Sequence, residues 1–421
     1  MQRNLLPVSG DNEAALTAAL ESWGDLKPGA GMELVSRLAR ERRPATAAAI
    51  IALAKARLND EAFVAEINLS DDIFWLQRAK VQALGENRSQ AAVAKLLACS
   101  SNAQGQNRLL LPWCLDALVQ TERPVPPEAF WRYSSDDDPI LRAHAIQALT
   151  ALARRSPGSV PWAAEAVERV MKSYFAHQSE PVADAKLATA DFLAALDAAF
   201  AVSRLEAIAA DPDRSVRLRS RNLLRNSFGQ KVAGTAGLVN TGRNYSFYAT
   251  AVATSRKYWG ARLITDRGTC TLRFLSADAP LTVYNFVTLA QQGFFNNLTF
   301  PRVVPDFVIQ GGDPRNDTDG GPGYSIRCEI NELSFVRGSV GMALAGKDTG
   351  GSQYFICHSP QPHLDGGYTL FAQVTDGMAV VDRIQLGDRV QRVELIEQGT
   401  ADARTDAGEQ GDAGAKRSGG P

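Results

Sequence analysis

The chain reads as a multidomain α + β protein. An α-helical solenoid occupies residues 1–228, a linker 229–258, a closed β-barrel capped by two helices 259–400, and a disordered tail 401–421. Three observations carry this reading. Alanine and leucine recur at helical spacing through the first half, as in Ala47-Ala48-Ala49-Ile50-Ile51-Ala52-Leu53-Ala54. From Trp259 onward, short alternating stretches separated by glycines replace that pattern. After residue 400 only Gly, Ala, Pro and polar or charged residues remain, too little apolar surface to offset the entropy of ordering.

The 421 residues leave room for two or three domains of about 150 residues each. Hydrophobic residues at 45% and charged residues at 22% suit a globular chain with a sizeable core. Lys+Arg at 45 against Asp+Glu at 46 leave no basic surplus to neutralise a phosphate backbone or an anionic lipid surface. The five cysteines stand at 99, 114, 270, 328 and 357 without a CxxC pair, so neither a disulfide framework nor a structural zinc is expected. The start, MQRNLLPVSGDNEAAL, lacks the basic segment and apolar run of a secretory leader. With no run of 18 apolar residues, no membrane span is expected either. The expected location is cytoplasmic, and a start further upstream would leave the cell envelope open.

In the helical half two segments echo each other, DDDPILRAHAIQALTALA (136–153) and DPDRSVRLRSRNLLRN (211–226). Each places Asp and Pro at a helix start, where Asp caps and Pro is tolerated. Each then carries an aliphatic residue followed by arginine, Leu141-Arg142 and Val216-Arg217. LSDDIFWLQRAKVQAL (69–84) is a weaker third copy. The pattern resembles HEAT repeats, helix pairs of about 40–47 residues that bury their apolar faces by stacking, and about five would fit. The alternative is a non-repetitive helical bundle. In 229–258, small polar and glycine residues mix with Tyr245, Phe247 and Tyr248, the composition of a partly packed linker.

The barrel elements follow in order. Residues 262–265 and 269–274 flank a turn at Asp266-Arg267-Gly268 and form a hairpin, with Cys270, Leu272 and Phe274 on one face. After Pro280, Val283, Phe286, Val287 and Ala290 form a helical stripe. Short strands are expected at 307–310, 339–343, 353–356 and 369–372, a second helix at 378–384 and a last strand at 390–396.

Within this half, TFPRVVPDFVIQGGD (299–313) resembles the signature of the cyclophilin-type peptidyl-prolyl isomerases. The resemblance extends through DAPLTVYNFVTLAQQGFF (278–295), GGPGY (320–324), GMALAG (341–346), GGSQYFI (350–356) and HLDGGYTLFAQV (363–374), and covers residues 260–398. It implies a closed barrel with two capping helices and an activity that rotates Xaa-Pro peptide bonds in polypeptide clients, without a cofactor or metal. Arg302 is matched to the family's catalytic arginine and Gln310 to the residue that hydrogen-bonds the substrate backbone. Phe307, Phe355 and Leu364 match the proline pocket, with Met342 and Ala343 close by, while Leu344 stands at a site that works through its main chain and Gln353 supports it. His363 occupies a position where the best-known members carry Trp and bacterial-type members vary. Tyr368 takes the place of a common His at the pocket rim, and Pro301 that of the usual His before Arg302.

Those residue types suit the chemistry. Rotation about an Xaa-Pro amide meets a barrier of about 18–20 kcal/mol, set by lost amide resonance, and needs no nucleophile. An always-charged guanidinium can donate to the pyramidal nitrogen of the twisted amide and so bind it better than the planar one. Competing motifs fail on composition. Gly341 to Asp348 nearly spells a phosphate-binding loop, but Asp348 stands where a hydroxyl must meet Mg²⁺. His358, Ser359, His363 and Asp365 have no ligand or triad spacing. The expected function is therefore a folding-assisting isomerase whose helical repeats bind clients or a protein partner, the alternative being a catalytically weak proline-peptide adaptor.

Overall fold

A computed structural model describes residues 13–26, 31–41, 43, 45–70, 73–102, 105–155, 160–196, 199–230 and 243–399. The chain start, the middle of the 229–258 segment and the 401–421 tail lie outside the described residues, together with the expectations made for them.

In the first half, the helices Glu13–Leu26, Ala45–Ala56, Phe74–Asn87, Leu111–Gln120, Pro139–Arg155, Asp184–Ala195 and Arg214–Phe228 each pack on the next, forming one continuous row. Helices such as Gln90–Asn102, Ala163–Ala176 and Ala199–Ile208 pack behind that row. The echo seen in the sequence has a physical basis. Asp138 accepts from the backbone N–H of Ile140 (2.9 Å) and Asp213 from those of Ser215 (2.7 Å) and Val216 (3.1 Å), capping the two helices. Six residues after Asp136 and Asp211, Arg142 and Arg217 reach back to donate to the carbonyls of those same aspartates.

The segment read as a linker holds a helix, Tyr245–Lys257, capped by Asn244 and running directly into the first strand. Its Phe247 ring meets Tyr284 edge-on at 5.8 Å, so this helix packs on Pro280–Gln291 of the second half. Its sequence, YSFYATAVATSRK, mixes β-branched and aromatic residues of modest helix propensity, and tertiary packing outweighs that preference.

The second half is one antiparallel sheet of β1 (Tyr258–Thr265), β2 (Gly268–Phe274), β3 (Leu298–Thr299), β4 (Arg302–Val304), β5 (Val308–Gly311), β6 (Ser339–Met342), β7 (Tyr354–Cys357), β8 (Leu370–Asp376) and β9 (Arg389–Glu397). The strand order is β3-β9-β1-β2-β8-β6-β7-β5-β4. The hairpin sits where expected, with Thr265 opposite Gly268, and Cys270, Leu272 and Phe274 point inward. Phe286, on the helix Pro280–Gln291, fills the interior against Phe295 (4.8 Å), Phe371 (5.6 Å) and Tyr354 (5.8 Å). The sheet is strongly curled into the expected barrel-like form, with β3 and β4 at its two edges. Those edge strands are joined through Phe300 and Pro301 alone, and proline has no N–H to extend a ladder.

Candidate active site

Arg302 and Gln310 face each other across the β4–β5 pair, and Gln310 in turn faces Phe355 on β7. The Arg302 guanidinium donates to Gln310 Oε1 (3.2 Å) and lies over the Phe307 ring, 5.5 Å from its centre. Gln310 Nε2 donates to Gln353 Oε1 (2.8 Å). Gln353 donates both of its own amide hydrogens, to the carbonyls of Thr318 (2.8 Å) and Gly320 (2.7 Å). Its oxygen must then face Gln310, which turns the Gln310 oxygen toward Arg302. No carboxylate lies within ion-pair distance of Arg302 among the described residues. Burial pulls its pKa down, with the nearby Tyr368 offsetting part of that shift.

Beside this polar row lies an apolar floor separate from the barrel interior. Phe335, Phe355, Leu364 and Leu370 are buried there, with Phe307, Ala343 and Tyr368 packed against them. The His363 ring stacks on Phe307 (5.4 Å), and Tyr368 meets Phe355 edge-on at 5.6 Å. Gly341 makes room for the floor: a Cβ there would sit 2.3 Å from Phe355 Cζ. Strand alternation turns the next residue the other way, so Met342 is buried in the barrel interior against Gly350 and stays out of this floor. Leu344 also packs on the interior cluster, though it borders the cavity next to Gln353. The remaining expected site residues are brought together here, with Ala343 donating its backbone N–H to the Gln353 carbonyl (3.0 Å).

A family model described as cyclophilin type peptidyl-prolyl cis-trans isomerase/CLD matches residues 261–400. A peptidyl-prolyl cis-trans isomerase of Synechococcus elongatus is 51% identical over 138 residues, 32% of this chain and 95% of that protein. Peptidyl-prolyl cis-trans isomerase B of Bacillus subtilis is 46% identical over 138 residues, again 32% of this chain and 96% of the relative. The chain belongs to the cyclophilin-type peptidyl-prolyl isomerase family. These matches fall within the cyclophilin domain and leave the helical row to be read from its structure.

That row packs against the rim of the cyclophilin site. Arg78 stacks on Trp113 (4.6 Å) and donates to the carbonyl of Pro301 (3.3 Å), the residue before Arg302. Arg315 bridges Asp138 (2.6 Å) and Asp317 (2.8 Å), and Arg214 pairs with Asp348 (3.3 Å). The loop bearing Arg315 is organised by buried Asp313, which accepts from the backbone N–H groups of Arg315 (2.8 Å), Asp317 (2.8 Å) and Thr318 (2.5 Å). Burial, with Asp317 alongside, pushes the Asp313 carboxyl up to about 6. None of these partnerships was read from the sequence. The capping aspartate at 138 was visible, but its partner lies 177 residues away.

His144 joins the two halves through Asp319 (3.3 Å to Nε2) and contacts Asp116 (2.9 Å to Nδ1). Burial alone would lower its pKa, but the two carboxylates outweigh that and lift it from 6.5 to about 10. A folded-state value above the unfolded one gives stability that is full below pH 6.5 and lost as pH rises toward 10. The stability difference between the wild type and His144→Gln, from urea denaturation, is therefore expected to shrink across that window. A difference that stays constant from pH 6.5 to 10 would refute the protonated bridge.

Proposed function

We propose that this protein catalyses cis-trans rotation of Xaa-Pro bonds in polypeptide clients, with Arg302 as the group that binds the twisted amide. The observation that carries this reading is a guanidinium with no carboxylate partner among the described residues, held by Gln310 and lying over Phe307 at the edge of an apolar floor. Phe307, Phe355 and Leu364 would hold the proline ring. Arg302 would donate to the prolyl nitrogen as conjugation breaks and its lone pair localises, a bond absent in the planar ground state. Gln310 has a second amide N–H, with no partner among the described residues, that suits the carbonyl flanking the proline. Ala343, Leu344 and Gln353 line the substrate path beside it, and His363 and Tyr368 form its aromatic rim. The helical row, HEAT-like in its stacking, would serve as a scaffold for the client.

The test is the exchange rate between cis and trans forms of a short Ala-Pro-Phe peptide, followed by NMR with and without the full chain. Cross-peaks that strengthen at catalytic amounts of protein are the expected result. Peptide binding without faster exchange would make the protein a proline-peptide adaptor.

A further inference from the structure

The cavity beside Gln310 and Gln353 is walled on its far side by the helical row. Asp138, Pro139, Ile140, Val182 and Asp184 complete a space of about 290 Å³. It continues into a larger one of about 620 Å³ that runs along the row between the loop 345–349 and Leu187, Ala188 and Leu218. Ile140, Asp184, Asp319, Ala345 and Thr349 line both spaces, so the two form one groove leading away from the Arg302 site.

We infer that this groove binds an extended stretch of the client polypeptide flanking the Xaa-Pro bond, so that the helical row selects clients by the residues beside proline. This deepens the isomerase reading and rests on it. Three observations favour an extended chain over other occupants. The groove begins at the Gln310–Gln353 pair, directly beside Arg302. Its bordering charges are largely consumed within the protein, by Arg214 with Asp348, Arg219 with Asp191 and His144 with Asp319. What remains is a mixed lining, in which Ile140, Leu187, Ala188 and Leu218 form an apolar strip beside the polar Gln147, Asn222 and Thr349 and the ammonium of Lys347. That surface suits apolar side chains of a strand whose backbone meets the polar edge. Asp184, in the shared middle, forms no ion pair among the described residues and offers a carboxylate to backbone N–H groups of a passing strand.

The experiment uses the full chain and fluorescein-labelled peptides: a short Ala-Pro-Phe core, and the same core lengthened by six alanine- and valine-rich residues on either flank. Anisotropy gives the affinity of each, and NMR exchange is recorded on the same samples. One lengthened series should bind about tenfold tighter than the core. That gain should disappear in Leu218→Arg, which places a charge on the lining, and in Gln147→Trp, which fills the groove from an exposed position. Thermal unfolding checks that each variant is folded, and either one suffices. Accelerated exchange of the core with no gain from either extension, or a gain unchanged in the folded variants, would overturn the groove while leaving the isomerase intact. A variant-sensitive gain without accelerated exchange would support the groove and remove the isomerase reading.

Discussion

Arg302→Ala is expected to reduce the acceleration of Xaa-Pro exchange by about 10²–10³-fold while the protein stays folded. Removing one donor aimed at charge that develops only in the transition state has effects of that size in comparable sites. At about 1.36 kcal/mol per tenfold, this corresponds to roughly 3–4 kcal/mol of lost transition-state binding. Stability should change little, because Arg302 is half-buried, has no carboxylate partner among the described residues, and leaves behind only a Gln310 oxygen that water can reach. Arg302→Lys should fall between the two, since an ammonium keeps the charge but loses the planar fork. Line-shape or exchange spectroscopy on the short peptide reads turnover, and a thermal melt reads the fold. An Arg302→Ala protein that melts like wild type and turns over within about threefold of it would remove Arg302 from the mechanism.

Arg142→Ala is expected to cost about 3–5 kcal/mol, the range for breaking a buried ion pair from one side. The Arg142 side chain is only 2% exposed and its partner, the Glu180 carboxylate, 16%. Truncation strands both that carboxylate and the Asp136 carbonyl, which Arg142 now satisfies together. Arg217→Ala supplies the internal comparison. Arg217 makes the equivalent clasp to the Asp211 carbonyl (2.5 Å) but is only half-buried and pairs with no carboxylate among the described residues, so its loss should cost about 1 kcal/mol. Urea denaturation of the two variants at neutral pH separates them. Equal losses would mean that the buried pair adds nothing beyond the carbonyl clasp.

The echo of Asp, Pro and Arg in the helical half was legible because capping and the clasp act within a few residues. The short strands β3 and β4 escaped notice, since two or three residues carry no alternation to recognise. Arg302 was identified as a site residue all the same, from a motif in which Pro301, Arg302, Phe307 and Gln310 lie within ten positions. Met342 was placed beside the substrate pocket from the GMALAG segment (341–346), and one step along β6 from Gly341 turns it to the barrel interior. The helix Tyr245–Lys257 was missed because its small polar and aromatic residues show no clear helical period, and it takes shape by packing on Pro280–Gln291, where Phe247 meets Tyr284.

Local signals were therefore enough for the helical half and the β-rich half, because periodicity and capping depend on neighbours in the chain. The cyclophilin resemblance of 299–313 singled out Arg302 and Gln310, which the structure places face to face across β4 and β5. The wall that Asp138, Ile140 and Asp184 add to the isomerase groove has no such signal. It arises when successive helices stack into a row and Arg78, Arg315 and His144 fasten that row to loops far along the chain. Individual hydrogen bonds and ion pairs between distant segments leave no periodic trace in a single sequence, since any of many polar residues could make them. Folding selects the ones whose charges would otherwise be buried alone.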